Sequence, residues 1–204
     1  MDRRDALVWQ SELRKLFRDL KRCWGENNTD CQIEPVSRSV PIIKSFVYGY
    51  PTFAGIRGEN KVSVTMDYFH HSSTSLMKKN DHQEVLCLSV QEDLCGFISF
   101  LHNKWYDNRI RELTDEWQTQ TGDFGLDNEY FIQAKEEVDR KMVNLPNFQS
   151  LVKSLMPFSS LSVRDSGVHL NIPVKDKSQL TLHEVDCKWS VLIEIVKLAK
   201  QIGM

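Results

Sequence analysis

The sequence holds little of what interrupts or specialises a chain. Among 204 residues there are 9 Gly and 6 Pro, too few for a collagen-like or low-complexity polymer. No window reaches the ~18 apolar residues of a membrane-crossing helix, and the richest stretch, 191–200, is broken by Glu194, Lys197 and Lys200. The opening Met1-Asp2-Arg3-Arg4-Asp5 is not followed by the roughly 7–15 apolar residues of a secretory signal. Neither sign of charge dominates: 26 Lys and Arg against 28 Asp and Glu leave a net charge of -2 and a pI near 6.3. A dedicated nucleic-acid binder usually carries a basic excess, so nucleic acid is not the expected partner. The chain also lacks a G-x-S-x-G nucleophile elbow and a G-x-x-x-x-G-K-[ST] phosphate loop. Its five cysteines, Cys23, Cys31, Cys87, Cys95 and Cys187, are odd in number and scattered, which predicts reduced thiols in the cytoplasm.

What is present is the composition of a globular protein, 41% hydrophobic and 26% charged. A chain of this length buries roughly 70% of its unfolded surface without a disulfide or metal. One domain over residues 1–204 is expected.

The periodicity changes along the chain. Ala6, Trp9, Leu13, Leu16, Phe17, Leu20 and Trp24 recur at helical spacing and predict an amphipathic helix over 5–24. Its other face carries Arg14, Lys15, Arg18, Lys21 and Arg22. From about 40 to 91 the period becomes two. Phe53–Ile56 and Val62–Met66 flank a Gly-containing turn, the mark of a β-hairpin. Strands are expected at Val85–Val90, Cys95–His102 and Glu129–Ala134, and helices over Lys135–Val143 and 147–156, the latter opened by Pro146. A second hairpin is read at Leu161–Val163 and Val168–Ile172, followed by a terminal helix over 178–202. Strands grouped between terminal helices predict an α+β fold of antiparallel strands and hairpins. The shared form of the two hairpins suggests an internal duplication, with halves about 1–104 and 105–204.

The Trp-containing first helix, Gly55-Ile56-Arg57-Gly58-Glu59-Asn60-Lys61-Val62-Ser63-Val64, and Thr121-Gly122-Asp123-Phe124-Gly125-Leu126-Asp127-Asn128-Glu129-Tyr130-Phe131-Ile132 follow one another in an order that resembles a set of uncharacterised bacterial proteins. The closing hairpin and helix resemble theirs as well. The resemblance implies a soluble α+β domain, and no activity or catalytic residue comes with it.

Several constellations bear on chemistry. Asp123, Asp127 and Glu129 lie on a Gly-containing loop running into the expected strand. Asp127 and Glu129, two apart, would share a strand face and could hold Mg²⁺, although Asp beside Gly better suits a turn, where its side chain bonds the local backbone. His70, His71, His82, Cys87, Cys95 and His102 fall close together, but without the tight pairs of structural zinc sites, so no cofactor or metal is expected. Gly55-Ile56-Arg57-Gly58 matches a G-x-x-G clamp, yet between strands it reads as a hairpin turn, with Arg57 and Lys61 as solvated charges. Tyr48, Tyr50, Phe53, Tyr68, Phe69, Trp105, Tyr106 and Trp117 suit core and edge packing better than a base-stacking platform, because 107–129 carries a net charge of -5 while 1–24 carries +3. That asymmetry suits docking to a partner or self-association. The expected function is thus a non-enzymatic module binding a protein or small ligand. The alternative is a metal-assisted hydrolase using Asp123, Asp127 and Glu129.

Overall fold

A computed structural model of the chain describes residues 15, 18, 19, 34–36, 50–69, 83–103, 117–174 and 181–204. Lys15, Arg18 and Asp19 are helical. The rest of the expected first helix lies outside the described residues, as do His70, His71, His82, Trp105, Tyr106, Tyr48, Cys23 and Cys31.

The strands are β1 (Glu34–Val36), β2 (Tyr50–Arg57), β3 (Asn60–Phe69), β4 (Gln83–Gln91), β5 (Ile98–His102), β6 (Tyr130–Ala134), β7 (Ser160–Arg164) and β8 (Gly167–Pro173). The helices are α1 (Phe124–Glu129), α2 (Glu137–Val143), α3 (Pro146–Leu155) and α4 (Leu182–Gln201). The fold is α+β. One sheet runs in the order β1-β2-β3-β4-β8-β7-β5-β6, and every neighbouring pair is antiparallel. Both expected hairpins form, β2–β3 turning at Gly58 and Glu59, and β7–β8 at Asp165 and Ser166. Gly58 takes a φ of 62°, a left-handed conformation that glycine adopts without steric cost. The link from β4 to β5 crosses the tip of the second hairpin, held by Glu92 N–H to Ser166 O at 3.4 Å and Leu94 N–H to Asp165 O at 3.4 Å.

Alternation along each strand sorts the side chains between the faces. On one face the register aligns Val62, Val90, Val168, Val163, Ile98 and Ala134 into a row, and Val64, Leu88, Leu170, Leu161, Phe100 and Ile132 into the next. All of these are 0–1% exposed. The helical layer closes over them: α4 packs on β4 and β8, α3 on α4, and α2 on β6 and α3. Phe148, Val152 and Leu155 of α3 are buried at i, i+4 and i+7. Of the apolar stripe that helical spacing predicts for the terminal helix, Leu182, Val185, Trp189, Leu192, Ile193, Val196 and Ala199, all but the half-buried Leu182 are buried in α4, and Ile195 and Leu198 join them, because α4 faces α3 as well as the sheet. Two cross-links anchor α4. Lys188 Nζ donates to the carbonyl of Leu155 at 3.0 Å, satisfying one of the orphan acceptors at the end of α3.

The second link corrects an expectation. Arg57 is not an ordinary solvated charge: its guanidinium donates to Asp186 O at 3.0 Å and pairs with Asp186 Oδ1 at 3.1 Å, tying the first hairpin to α4. Three boundaries also differ. Residues 92–97 form no strand, so β5 begins at Ile98. The loop expected before β6 is the short helix α1. Glu129 closes that helix instead of opening the strand.

Candidate functional site

The acidic cluster is built around the start of α1. Asp123 caps the helix, its Oδ1 accepting from Gly125 N at 3.0 Å and Leu126 N at 3.2 Å, and it pairs with Lys153. The lysine contact, followed by these backbone donors, holds the Asp123 carboxyl below its usual range. Asp127 turns back over the preceding loop. Its Oδ1 accepts from Thr121 N at 2.8 Å and Thr121 Oγ1 at 2.9 Å, and its Oδ2 from Gly122 N at 3.0 Å. Gly122, at a φ of 75°, makes the turn that aims these amides at the carboxylate. Asp127 and Glu129 do not share a strand face, because both sit on α1, where residues two apart diverge by about 200°. Glu129 is exposed. Asp123 and Asp127 are therefore acceptors for local donors.

The other expected ligands are likewise apart. Cys87 is half-buried on the sheet face away from the helices, whereas His102 lies on the helix-covered face, edge-on to the Tyr130 ring at 5.4 Å. Cys95 is exposed in the β4–β5 link. No group of three or more His, Cys, Asp or Glu that could hold a metal ion occurs among the described residues.

The sheet face opposite the helices has a character that single-strand reading missed. The register aligns Ser63, Ser89, His169, Ser162, Ser99 and Gln133 across β3, β4, β8, β7, β5 and β6. A second row begins Thr65, Cys87, Asn171 and Ser160. Part of this face is internally satisfied: Ser63 and Ser89 share a hydrogen bond of 2.6 Å, and Asn171 Nδ2 donates to Ser160 Oγ at 2.8 Å. His169 Nε2 lies 2.9 Å from Ser166 Oγ. Burial, and then the neighbouring Arg164, push the His169 pKa below its ordinary 6.5, which keeps the ring neutral at pH 7.

Gln133, Ser99 and Ser162 are different. They lie side by side on β6, β5 and β7 and are only 6%, 4% and 7% exposed, the least exposed members of this row. Beside them stands a cation–aromatic cluster. The Phe97 and Trp117 rings are 5.8 Å apart, Lys135 Nζ lies 5.7 Å from the Trp117 centroid, and Arg164 Cζ lies 5.9 Å from that of Phe97. Among the described residues Arg164 forms no ion pair, and the one carboxylate near Lys135 Nζ is that of Glu136, at 4.0 Å. The edge of β6 is partly covered, by the Gln118–Gln133 bridge and by Thr119 N–H donating to Ile132 O at 3.0 Å.

Each strand advertised its part of this face, for Val62-Ser63-Val64-Thr65, Ile98-Ser99-Phe100, Leu161-Ser162-Val163 and Val168-His169-Leu170-Asn171 all alternate apolar with polar. No single strand reveals that the polar positions meet. No family model, curated protein or solved structure matches the chain.

Proposed function

We propose that the protein is a non-enzymatic cytoplasmic binding module whose ligand is a small anionic molecule held on the polar face of the sheet. The observation that carries this reading is the triad Gln133, Ser99 and Ser162: three nearly buried polar side chains, adjacent in register on one face of the sheet. Strands lie ≈ 4.7–4.9 Å apart, so the triad spans about 10 Å, the scale of a small molecule. Arg164 and Lys135 supply positive charge beside it, and a neutral His169 adds a donor or acceptor without further charge. Phe97 and Trp117 offer aromatic surface. The alternative, a metal-assisted hydrolase on Asp123, Asp127 and Glu129, fits less well, because Asp123 and Asp127 already serve as acceptors for local donors. No described helix is long and apolar enough to cross a membrane.

The test is a thermal titration of the whole chain with inorganic phosphate, a nucleoside monophosphate and an aromatic carboxylate. A ligand at 100 times its Kd stabilises the folded state by about 2.7 kcal/mol, or about 5–10 °C for a chain of this size. We expect at least one of the three to raise the midpoint. The shift should vanish in the Lys135→Ala/Arg164→Ala double variant, whose side chains are exposed. No shift with any of the three, or a shift that survives the double variant, overturns the proposal.

A further inference from the structure

The tip of the second hairpin sets a nucleophile against a base. Ser166 is exposed at the corner of the β7–β8 turn, His169 is half-buried on β8, and Ser166 Oγ lies 2.9 Å from His169 Nε2. A serine hydroxyl is a weak nucleophile until an adjacent base takes its proton, and a hydroxyl within hydrogen-bond reach of an imidazole is the arrangement that activates it.

The surrounding backbone fixes the pair. Ser166 O accepts from Glu92 N–H and Asp165 O from Leu94 N–H, both at 3.4 Å. The next residue, Gly167, is pressed so closely on Val90 and Glu92 that a Cβ would collide with their backbone. Strand β8 runs between β4 and β7, which sets His169 across from Ser89 and Ser162. The nearest charged or titratable described groups on the neighbouring elements are Arg164 on β7, Cys87 on β4, Asp165 in the turn and Glu92 in the β4–β5 link, the last paired with Lys200 at 2.9 Å. Burial, and then Arg164, lower the His169 pKa, so the ring is in its proton-accepting form at pH 7. Arg164 also supplies positive charge next to the dyad, which favours an attack that develops negative charge.

We infer that Ser166 is an acylation site, taking an acyl group from an activated ester or thioester with His169 as its general base. As Oγ bonds to the acyl carbon, its proton passes to His169 Nε2. The bond from that carbon to the leaving oxygen or sulfur then breaks, the leaving group departs with the electron pair, and the imidazolium returns its proton to solvent. The product is an alkyl ester, far less reactive than the donor, so Ser166 is modified once and the chain does not turn over. The dyad lies outside the triad proposed to hold a ligand, and neither needs the other.

The experiment exposes the whole chain to p-nitrophenyl acetate at neutral pH, follows p-nitrophenolate release, and maps the acetyl group by peptide mass spectrometry. We expect the first acetyl group on Ser166, with one equivalent of p-nitrophenolate. Ser166→Ala should remove that modification. His169→Gln should slow it by at least about tenfold, since a positioned general base contributes roughly 10²–10⁴. His183→Gln, at an exposed imidazole on α4, should leave the rate unchanged. The wild-type rate should climb as His169 deprotonates and level off above its lowered pKa, whereas a serine acting without a base keeps accelerating with hydroxide. Far-ultraviolet circular dichroism establishes that each variant is folded, and the wild-type pH profile decides the matter if His169→Gln is not. A first acetyl group on any other residue, His169 included, a Ser166 rate unchanged by His169→Gln, a rate that keeps rising through neutral pH, or no acetylation at all overturns the inference.

Discussion

Replacing Asp127 by alanine separates a structural carboxylate from a metal-binding one. The substitution removes three hydrogen bonds at once: those from Thr121 N, Thr121 Oγ1 and Gly122 N, at 2.8, 2.9 and 3.0 Å. Hydrogen bonds to a charged group contribute about 1.5–3 kcal/mol in favourable settings. The Gly122 amide is exposed and regains water, so most of the loss falls on Thr121, which is 7% exposed. Two effects moderate it: alanine is a better helix former than aspartate, and the loop relaxes toward water. The net expectation is a destabilisation of about 2 kcal/mol, or about 4–8 °C in midpoint for a chain of this size. Asp127→Asn keeps one carbonyl acceptor for Thr121 and should lose about half as much. The assay is chemical denaturation followed by circular dichroism, with and without millimolar Mg²⁺. The cation should change neither the wild type nor the variants. If Asp127→Ala is as stable as the wild type or more so, and a Mg²⁺-dependent stabilisation of the wild type disappears with it, the structural reasoning is refuted and the hydrolase reading is restored.

Two further perturbations probe the frame. His169 has a folded pKa below its unfolded value of 6.5, so between these values the unfolded chain binds more protons. Stability should be undiminished above about pH 6.5 and fall on acidification toward the lowered folded value; His169→Gln, measured by thermal melts from pH 7.5 to 5, should flatten that fall. Gly167 has a φ of 116°, and a Cβ there would collide with the backbone carbonyl of Val90. Gly167→Ala should therefore cost well over the ~1–2 kcal/mol of backbone strain alone, whereas Gly122→Ala, at a φ of 75° with open space around it, should show strain only. Urea denaturation of the pair checks the difference.

The sequence by itself determined the parts list. Period-two alternation placed β2, β3, β4, β7 and β8, because a strand half-buried on one face must alternate. Pro146 and the stripe from Val185 to Ala199 located α3 and α4, because a missing N–H is tolerated only in a helix's first turn and a packed helix needs one apolar side. The limits of this reading are as physical as its successes. Residues 124–129 form a helix because Asp123 and Asp127 tie its first turn to neighbouring amides, and these bonds outweigh the turn tendency of Gly122 and Gly125. Arg57 looked solvated because its partner, Asp186, lies 129 residues away, a separation no local pattern encodes.

The same holds for the candidate sites. The polar face was decided only by tertiary structure. Ser99, Ser162 and Gln133 come from three separate strands, and each serine is one small polar residue in an ordinary alternation. Their juxtaposition requires β5 to insert between β6 and β7, which follows from the β4–β5 link crossing the second hairpin. A strand's own sequence sets which face each side chain takes; the order and register of its neighbours decide what that side chain meets.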